Sequence, residues 1–419
     1  MALTAPRGTK DILPEEVGYF QMIEETARRV FARYGYQEIR TPIFEGTELF
    51  SRSIGEETDI VSKEMFTFPD RKGRSMTLRP EGTAPVVRAL VQHNAFKQQG
   101  VQPKVYYLGP MFRYERPQAG RQRQFNTVGV EFFGCSSPLA DVEVISMLDT
   151  YLRELGFSGT RTRINSIGNQ ASRKAYNAEL RQRLAGVRDR LCPDCQRRSE
   201  VNPLRVLDCK IPSCQEVYKD FPSLGDFLDE ESRAHFQLVL KTLEDLGVAY
   251  ELKPSLVRGF DYYTHTVFEI SLEGLGAQDA ALGGGRYDGL VEELGGPATP
   301  AVGAAFGVER LIIALQAAGI APPRPDQARA VYVLALEDSC LPAACTLTQQ
   351  IRQAGLPATF DFSARGFKAG LRAANRDTIN RMVVLGGSEL EQGVALVKNL
   401  EARTEQQVPL TEVAAYLVG

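Results

Sequence analysis

The chain has 419 residues, 43% of them hydrophobic, and sets 49 lysines and arginines against 52 aspartates and glutamates. That length exceeds what a single hydrophobic core serves, so two or three domains are expected. The near-even charge excludes a chain-wide attraction to nucleic acid and leaves such contact to local basic patches. With no apolar run of 18 residues and no apolar signal core in residues 1–10, the expectation is a soluble cytoplasmic protein with no membrane contact.

Phe20, Ile23, Ala27, Val30, Phe31 and Tyr34 recur at helical spacing, and Gly35 ends the pattern before an extended run at 36–40 and then Pro42. Pro42 cannot donate to a ladder, so this strand either lies at a sheet edge or ends where another surface begins. Strand patterns at 104–108, 128–133, 161–165 and 266–270, with a helix at 141–155 among them, predict an α+β fold: a largely antiparallel sheet flanked by helices. Residues 170–245 are charged and helical in pattern, and read as an insertion between two halves of that sheet. Pro322, Pro323 and Pro325 make 317–329 a stiff linker. Beyond it, strands at 330–336, 358–362, 382–385 and 394–397 alternate with helices at 341–353 and 367–375, as in a small α/β domain with a mixed sheet. The expected division is a first domain over 1–325, carrying the insertion, and a second over 326–419.

Four of the seven cysteines crowd together as Cys192-Pro-Asp-Cys195 and Cys209-Lys-Ile-Pro-Ser-Cys214. In a reducing compartment such pairs are either free thiols or a structural Zn²⁺ site of the ribbon kind, the second pair being spaced more widely than the usual two-residue gap. Cys135, Cys340 and Cys345 read as small apolar residues.

Three further blocks carry charge where a core needs none. Between two strand patterns, Arg113, Arg116, Arg121 and Arg123 face a single glutamate, Glu115, and Pro117 and Gly120 supply turn chemistry; this is either a solvated hairpin loop or a positive field suited to polyphosphate or RNA. Glu131 alternates with Val130 and Phe132 and so faces the other side of the sheet. In 304–315, Gly307 ends an apolar strand and Glu309-Arg310 opens an amphipathic helix, where an arginine works against the dipole unless it meets a phosphate or a surface ion pair. In 258–270, Arg258, Gly259, Tyr262 and Tyr263 precede a strand. They offer a permanent cation for phosphate or carboxylate and two phenols, or else an ion pair and core caps. The strip Leu282-Gly-Gly-Gly-Arg-Tyr-Asp-Gly-Leu290 reads as flexible, or as a plain turn.

Together these blocks resemble a class II aminoacyl-tRNA synthetase, and 256–270 and 282–290 resemble the two segments particular to the histidyl-tRNA synthetase family. The helix and strand ending at Pro42 are similar to motif 1, the dimer interface in that family; 112–131 is similar to motif 2, 303–310 to motif 3, and the last domain to an anticodon-binding module. The resemblance implies a histidine-tRNA ligase that activates L-histidine with ATP to histidyl-adenylate, transfers it to the 3′-terminal adenosine of histidine tRNA, and works as a homodimer. It also implies site residues. Arg113 and Glu115 would bind ATP, Arg310 its bent triphosphate tail, and Mg²⁺ would bridge the phosphates. Arg258 would meet the charge that develops on the α-phosphate. Glu131 and Tyr263, with Tyr262 nearby, would read the imidazole. Glu81, Gly82 and Thr83 would take the α-amino group, and Arg116 and Gln118 the extra 5′ guanosine of the tRNA.

Chemistry of this kind needs no protein nucleophile, and none of His93, His235 and His265 sits in a Ser/His/Asp arrangement. One position departs from the family pattern. Asn126-Thr127 stands where most relatives carry His-Gln, and the usual glutamine helps bind the amino acid; either a water or Asn126 replaces Thr127's missing reach, or affinity for histidine is lower. The alternative reading is the family's regulatory paralogue, a histidine-sensing subunit of ATP phosphoribosyltransferase without aminoacylation activity. That paralogue lacks the anticodon-binding domain and erodes the Arg258 segment, and both are present here.

Overall fold

The computed structural model describes residues 3–322 and 329–419, apart from 56, 57, 59, 98, 99, 119, 208, 210, 259, 261 and 273–279. Gly259, Pro323 and Pro325 therefore lie outside the described residues. The chain divides into two compact units, Met1–Pro322 and Pro323–Gly419.

The first unit runs α1 (Pro14–Arg33), β1 (Gln37–Glu38), β2 (Phe44–Gly46), α2 (Thr47–Ile54), β3 (Phe66–Pro69), β4 (Ser75–Leu78), α3 (Thr83–Gln92), β5 (Lys104–Phe112), β6 (Gln124–Phe133), α4 (Pro138–Glu154) and β7 (Thr160–Ser166). It continues through α5 (Gln170–Ala185), α6 (Pro193–Val201), α7 (Pro212–Tyr218), α8 (Glu230–Asp245), β8 (Tyr250–Leu252), β9 (Thr264–Leu272), β10 (Ala280–Arg286), α9 (Leu290–Glu293), β11 (Ala301–Gly307) and α10 (Val308–Ala317). Helix α1 starts as its sequence dictates, with Pro14 in the first turn beside Glu15 and Glu16, and Gly35 turns the chain out of it at φ +80°.

Among the described residues the main sheet has the order β1-β5-β6-β11-β10-β9-β7-β8, antiparallel except for the edge pairs β1–β5 and β7–β8. Strand alternation gives it two different faces. One carries Val128, Val130, Phe132, Val302, Phe306, Phe268 and Ile270 into a core with Phe20, Ile23, Leu148, Tyr151 and Leu311 of α1, α4 and α10. The register puts Tyr107 opposite Gly129, Glu131 opposite Gly303, Gly285 opposite Gly303 and Gly283 opposite Glu269 on the other face. Glycine there replaces the side chains that would otherwise fill it, leaving a concavity.

Several elements differ from the sequence expectation. Strand β1 is two residues long, because Pro42 follows closely and only Gln37 and Glu38 find ladder partners. Strand β5 continues through Pro110, beyond the reach of β1, where only β6 flanks it and no donor is needed on the open side. The 282–286 glycine strip is neither flexible nor a turn but the body of β10, a central strand held on both sides. A small sheet, β2-β4-β3, was not evident in strands of three and four residues.

The second unit contains β12 (Val331–Ala335), α11 (Leu341–Gln353), β13 (Ala358–Phe360), α12 (Phe367–Arg376), β14 (Arg381–Leu385), α13 (Gly387–Glu391), β15 (Val394–Asn399), β16 (Thr404–Pro409) and α14 (Val413–Val418). Its mixed sheet has the order β13-β12-β14-β15-β16, parallel among the first three and antiparallel beyond. Strand β16 lacks an apolar pattern because it is an exposed edge. Cys345 is exposed on α11, unlike the buried Cys340, so it is not a core residue.

Candidate active site

The glycine-bearing face opens into a cavity of about 770 Å³. Its floor depends on residues with no side chain. A Cβ on Gly303 would overlap the Glu131 carboxylate and stand 2.6 Å from Val130 O, and a Cβ on Gly283 would overlap the Arg258 guanidinium. Those two glycines let an acid and a cation lie flat against the sheet.

Glu131 is 1% exposed and sits within three hydroxyls. Thr83 Oγ1 donates to its Oε1 at 2.7 Å, Tyr107 OH to the same oxygen at 3.4 Å, and Tyr287 OH to Oε2. Burial pushes its pKa up to about 8, against the hydrogen bonds from Tyr287 and Thr83, with Glu81 adding to the rise. Glu81 caps the start of α3, accepting from Thr83 N at 2.6 Å and Ala84 N at 2.9 Å. Burial raises its pKa as well, against those two N–H groups. Tyr262 and Tyr263 close the same end, their ring centroids 4.8 Å apart, with the Tyr262 ring 5.5 Å from that of Tyr287.

The rest of the lining is cationic, and its Arg258 also meets the Tyr263 side chain. Arg258 Nη1 lies 2.5 Å from Glu269 Oε1 of β9, and both residues line the cavity. Arg113 opens the 113–123 loop; its Nε donates to Pro80 O at 2.9 Å and its guanidinium lies 5.5 Å from the Phe125 ring centroid. Arg121 and Glu115, 3.7 Å apart, line the cavity from the same loop, and Arg310 does so from the first turn of α10. A pocket that sets buried carboxylates and hydroxyls beside a group of arginines suits a zwitterionic or polar molecule next to a polyphosphate.

A family model described as "Histidyl-tRNA synthetase" matches residues 8–185 and 211–311, and one described as "Anticodon binding domain" matches 330–419. The chain belongs to the histidyl-tRNA synthetase family. It is 50% identical to a histidine–tRNA ligase of Halothermothrix orenii over 98% of this chain and 97% of that one. It is 47% identical to the ligase of Moorella thermoacetica over 99% and 98%. The solved structure of apo Staphylococcus aureus histidyl-tRNA synthetase, 37% identical, superposes with a TM-score of 0.84 and full coverage of both chains. A Bacillus halodurans structure described as "ATP phosphoribosyltransferase regulatory subunit/histidyl-tRNA synthetase" covers 92% of this chain at 20% identity and a TM-score of 0.67, a likeness of fold alone.

Of the residues singled out from family motifs, Glu81, Gly82, Thr83, Arg113, Glu115, Thr127, Glu131, Arg258, Tyr262, Tyr263 and Arg310 all line this one cavity. Arg116 and Gln118 do not; Gln118 instead pairs with Arg121 across the loop at 3.0 and 2.9 Å. Thr127 faces the pocket, whereas Asn126 donates from its backbone and side chain to Glu309 at 2.8 to 3.0 Å and is already engaged. Tyr107, Tyr287 and Glu269 escaped sequence reasoning, while Arg121, named there only as part of the basic loop, joins the lining. A tyrosine in a strand reads as core, and only the register shows which phenol meets Glu131. Beside this pocket, which Cys209 helps to line, the synthetase chain brings the Sγ atoms of Cys192, Cys195, Cys209 and Cys214 within 4.8 Å of one another.

Proposed function

We propose that this chain is a histidine-tRNA ligase: it activates L-histidine with ATP to form histidyl-adenylate and transfers the histidyl group to the 3′-terminal adenosine of histidine tRNA. The observation that carries the reading is the pairing, in one cavity, of the buried Glu131 cluster with the arginine group Arg113, Arg258 and Arg310. An imidazole offers one donor and one acceptor nitrogen when neutral. In this reading Glu131 faces one nitrogen and Tyr263 the other, with Tyr262, Tyr107 and Tyr287 fixing their positions. Glu81, Gly82 and Thr83 receive the α-amino group. A site of paired hydrogen bonds rejects analogues that leave them unmade, so no separate editing step is needed.

Arg113 holds the α-phosphate, with Glu115 beside it, and Arg310 holds the triphosphate tail. The histidine carboxylate attacks the α-phosphorus, the bond to the bridging oxygen breaks, and pyrophosphate leaves. Arg258 stands where negative charge grows on the non-bridging oxygens, so its contribution is electrostatic and positional. Mg²⁺ on the phosphates would neutralise part of their charge, and the lining carboxylates Glu115 and Glu309 are oxygen ligands suited to it. Arg116 and Gln118, outside the cavity, remain available to the 5′ end of the tRNA. The domains are read as catalytic over 1–325, with the insertion at about 170–245, and anticodon-binding over 326–419. The reading adds a structural Zn²⁺ at the four clustered cysteines, a homodimer and a cytoplasmic site of action.

Histidine-dependent exchange of labelled pyrophosphate into ATP tests the proposal, with charging of histidine tRNA as the second step. Well-folded protein that binds histidine yet shows no exchange would favour the regulatory paralogue instead.

A further inference from the structure

Helices α6 and α7 are too short to hold themselves. They have nine and seven residues, neither has a side-chain cap, and a 3₁₀ turn at Pro203–Val206 stands between them. Such a segment needs a cross-link, and the cysteines are placed to supply one. Cys192 stands at the residue before α6, Cys195 lies within it, Cys209 follows the 3₁₀ turn and Cys214 lies in α7. The Cys192 and Cys209 sulfurs are 4.0 Å apart and all four lie within 4.8 Å. A disulfide needs about 2.05 Å, whereas thiolates about 2.3 Å from one Zn²⁺ stand about 3.8 Å apart at a tetrahedral site. Cys192 N–H donates to Cys214 Sγ at 3.2 Å, the sort of outer contact that orients a metal ligand.

The cross-linked segment also forms a wall of the activation cavity. Arg205, Leu207, Cys209, Gln215 and Tyr218 line the same space as Arg113 and Arg258. Tyr218 OH and Gln215 Nε2 both donate to Cys209 O, at 2.9 and 3.3 Å, so the wall residues are tied directly to a cysteine of the cluster. The histidine end stands on other elements: Glu131 on β6, Thr83 on α3 and Tyr287 at the end of β10.

We infer that one Zn²⁺ held by Cys192, Cys195, Cys209 and Cys214 braces this wall, and that metal content sets the affinity of the pocket for its nucleotide while leaving histidine binding nearly unchanged. The naming of the nucleotide as ATP rests on the ligase reading. Purified protein should carry one equivalent of zinc by elemental analysis. Replacement with Co²⁺ should produce the thiolate-to-metal charge-transfer and tetrahedral d–d absorption of a four-sulfur site. Chelation should expose four additional thiols to a thiol reagent and raise amide hydrogen exchange across 192–218, but not across 128–133. By calorimetry the Kd for ATP should rise by roughly ten-fold on stripping, about the effect of losing one well-placed contact, while the Kd for histidine moves less than about two-fold. Cys192→Ser should lose the metal and Cys192→His should keep it, since imidazole is an equivalent zinc ligand; this rescue separates a lost metal from a lost fold. Metal-free protein whose four cysteines react without chelator overturns the site. Unchanged ATP affinity after complete stripping overturns the brace. Because these readouts are binding and spectroscopy, they stand apart from the ligase reading, which fails only if the fully loaded protein shows no pyrophosphate exchange.

Discussion

Glu131 is a carboxyl held almost wholly out of water. A carboxyl pushed up to about 8 by burial keeps its proton in the substrate-free fold at neutral pH, while the unfolded chain ionises near 4.5. The folded state then binds more protons than the unfolded one between those values, so stability falls as pH rises through that window and levels off above it. The slope from this one group approaches about 1.4 kcal/mol per pH unit below 8. His265, lowered chiefly by burial and then by His235, acts in the opposite sense, but only below its ordinary value of 6.5. Urea unfolding between pH 7 and 8.5 therefore leaves His265 out of the comparison. Stability of the unliganded protein should decline across that range, and Glu131→Gln should flatten the decline. An equal slope in both proteins would remove Glu131 as the source. Glu131→Gln should also weaken histidine binding by roughly 100-fold, the cost of mismatching one buried hydrogen-bonded group. Arg258→Ala should leave that binding within about five-fold but slow single-turnover adenylation by at least 100-fold, the scale for losing one oriented charge at a transition state. Near-normal adenylation by Arg258→Ala would assign its charge to Glu269 alone.

At the scale of elements, the site is a consequence of glycine in β10 and β11. Gly283 decides where Arg258 lies, because only an absent side chain lets the guanidinium rest on the strand beside Glu269. Gly283→Ala meets the movable end of an arginine rather than backbone, so the fold should survive and the arginine should shift. The expected result is at least a ten-fold loss of adenylation rate with little change in melting temperature, read by single-turnover kinetics and calorimetry. An unaltered rate would mean that Arg258 works from another position. This strand also marks the limit of what the sequence disclosed. The apolar alternation of β6 and β9, and the position of Glu131 out of phase with Val130 and Phe132, were readable because period-two patterning is local. Strand β10 was not, because Gly-Gly-Gly has no side chains to alternate and its strand character comes from β9 and β11 on either side. The phenols around Glu131 were hidden for a related reason. Tyr107 and Tyr287 lie 24 and 156 residues from it, and only register brings them to it. The motif arginines, by contrast, could be picked out because a permanent charge beside an apolar strand has few uses in a core.

The proposed dimer is a property of the whole molecule, and the small sheet supplies its physical reason. Pairing of Phe44 with Leu78, Phe66 with Leu78 and Phe68 with Met76 puts five apolar side chains on one face, while Thr67 and Thr77 share a hydroxyl hydrogen bond on the other. The usual order is inverted: in a single copy Phe44 is 51% exposed and Phe68 41%, with their rings 6.4 Å apart, and neighbouring Ile43 is exposed as well. Clustered exposed aromatics of this kind mark a surface that another molecule covers. They lie beside the helix and strand of motif 1, which favours a second copy of the chain. The same face reaches the loop that Arg113 opens, because Phe66 packs edge-on against Tyr114 of the 113–123 loop, 5.3 Å between centroids, and Tyr114 lies under Arg123. Covering the face should therefore steady the loop that carries Arg113. Light scattering should give a mass of about twice 46.3 kDa for the native chain. Phe44→Arg combined with Phe68→Arg should bring the mass to 46.3 kDa, because two buried cations facing their symmetry mates cannot be paired. If the loop depends on the partner, the KM for ATP should rise several-fold in that monomer while the Kd for histidine stays put. A native chain that is monomeric at micromolar concentration, or a double variant that remains dimeric, would move the interface away from this sheet; a monomer with unaltered ATP kinetics would keep the interface but detach it from the loop.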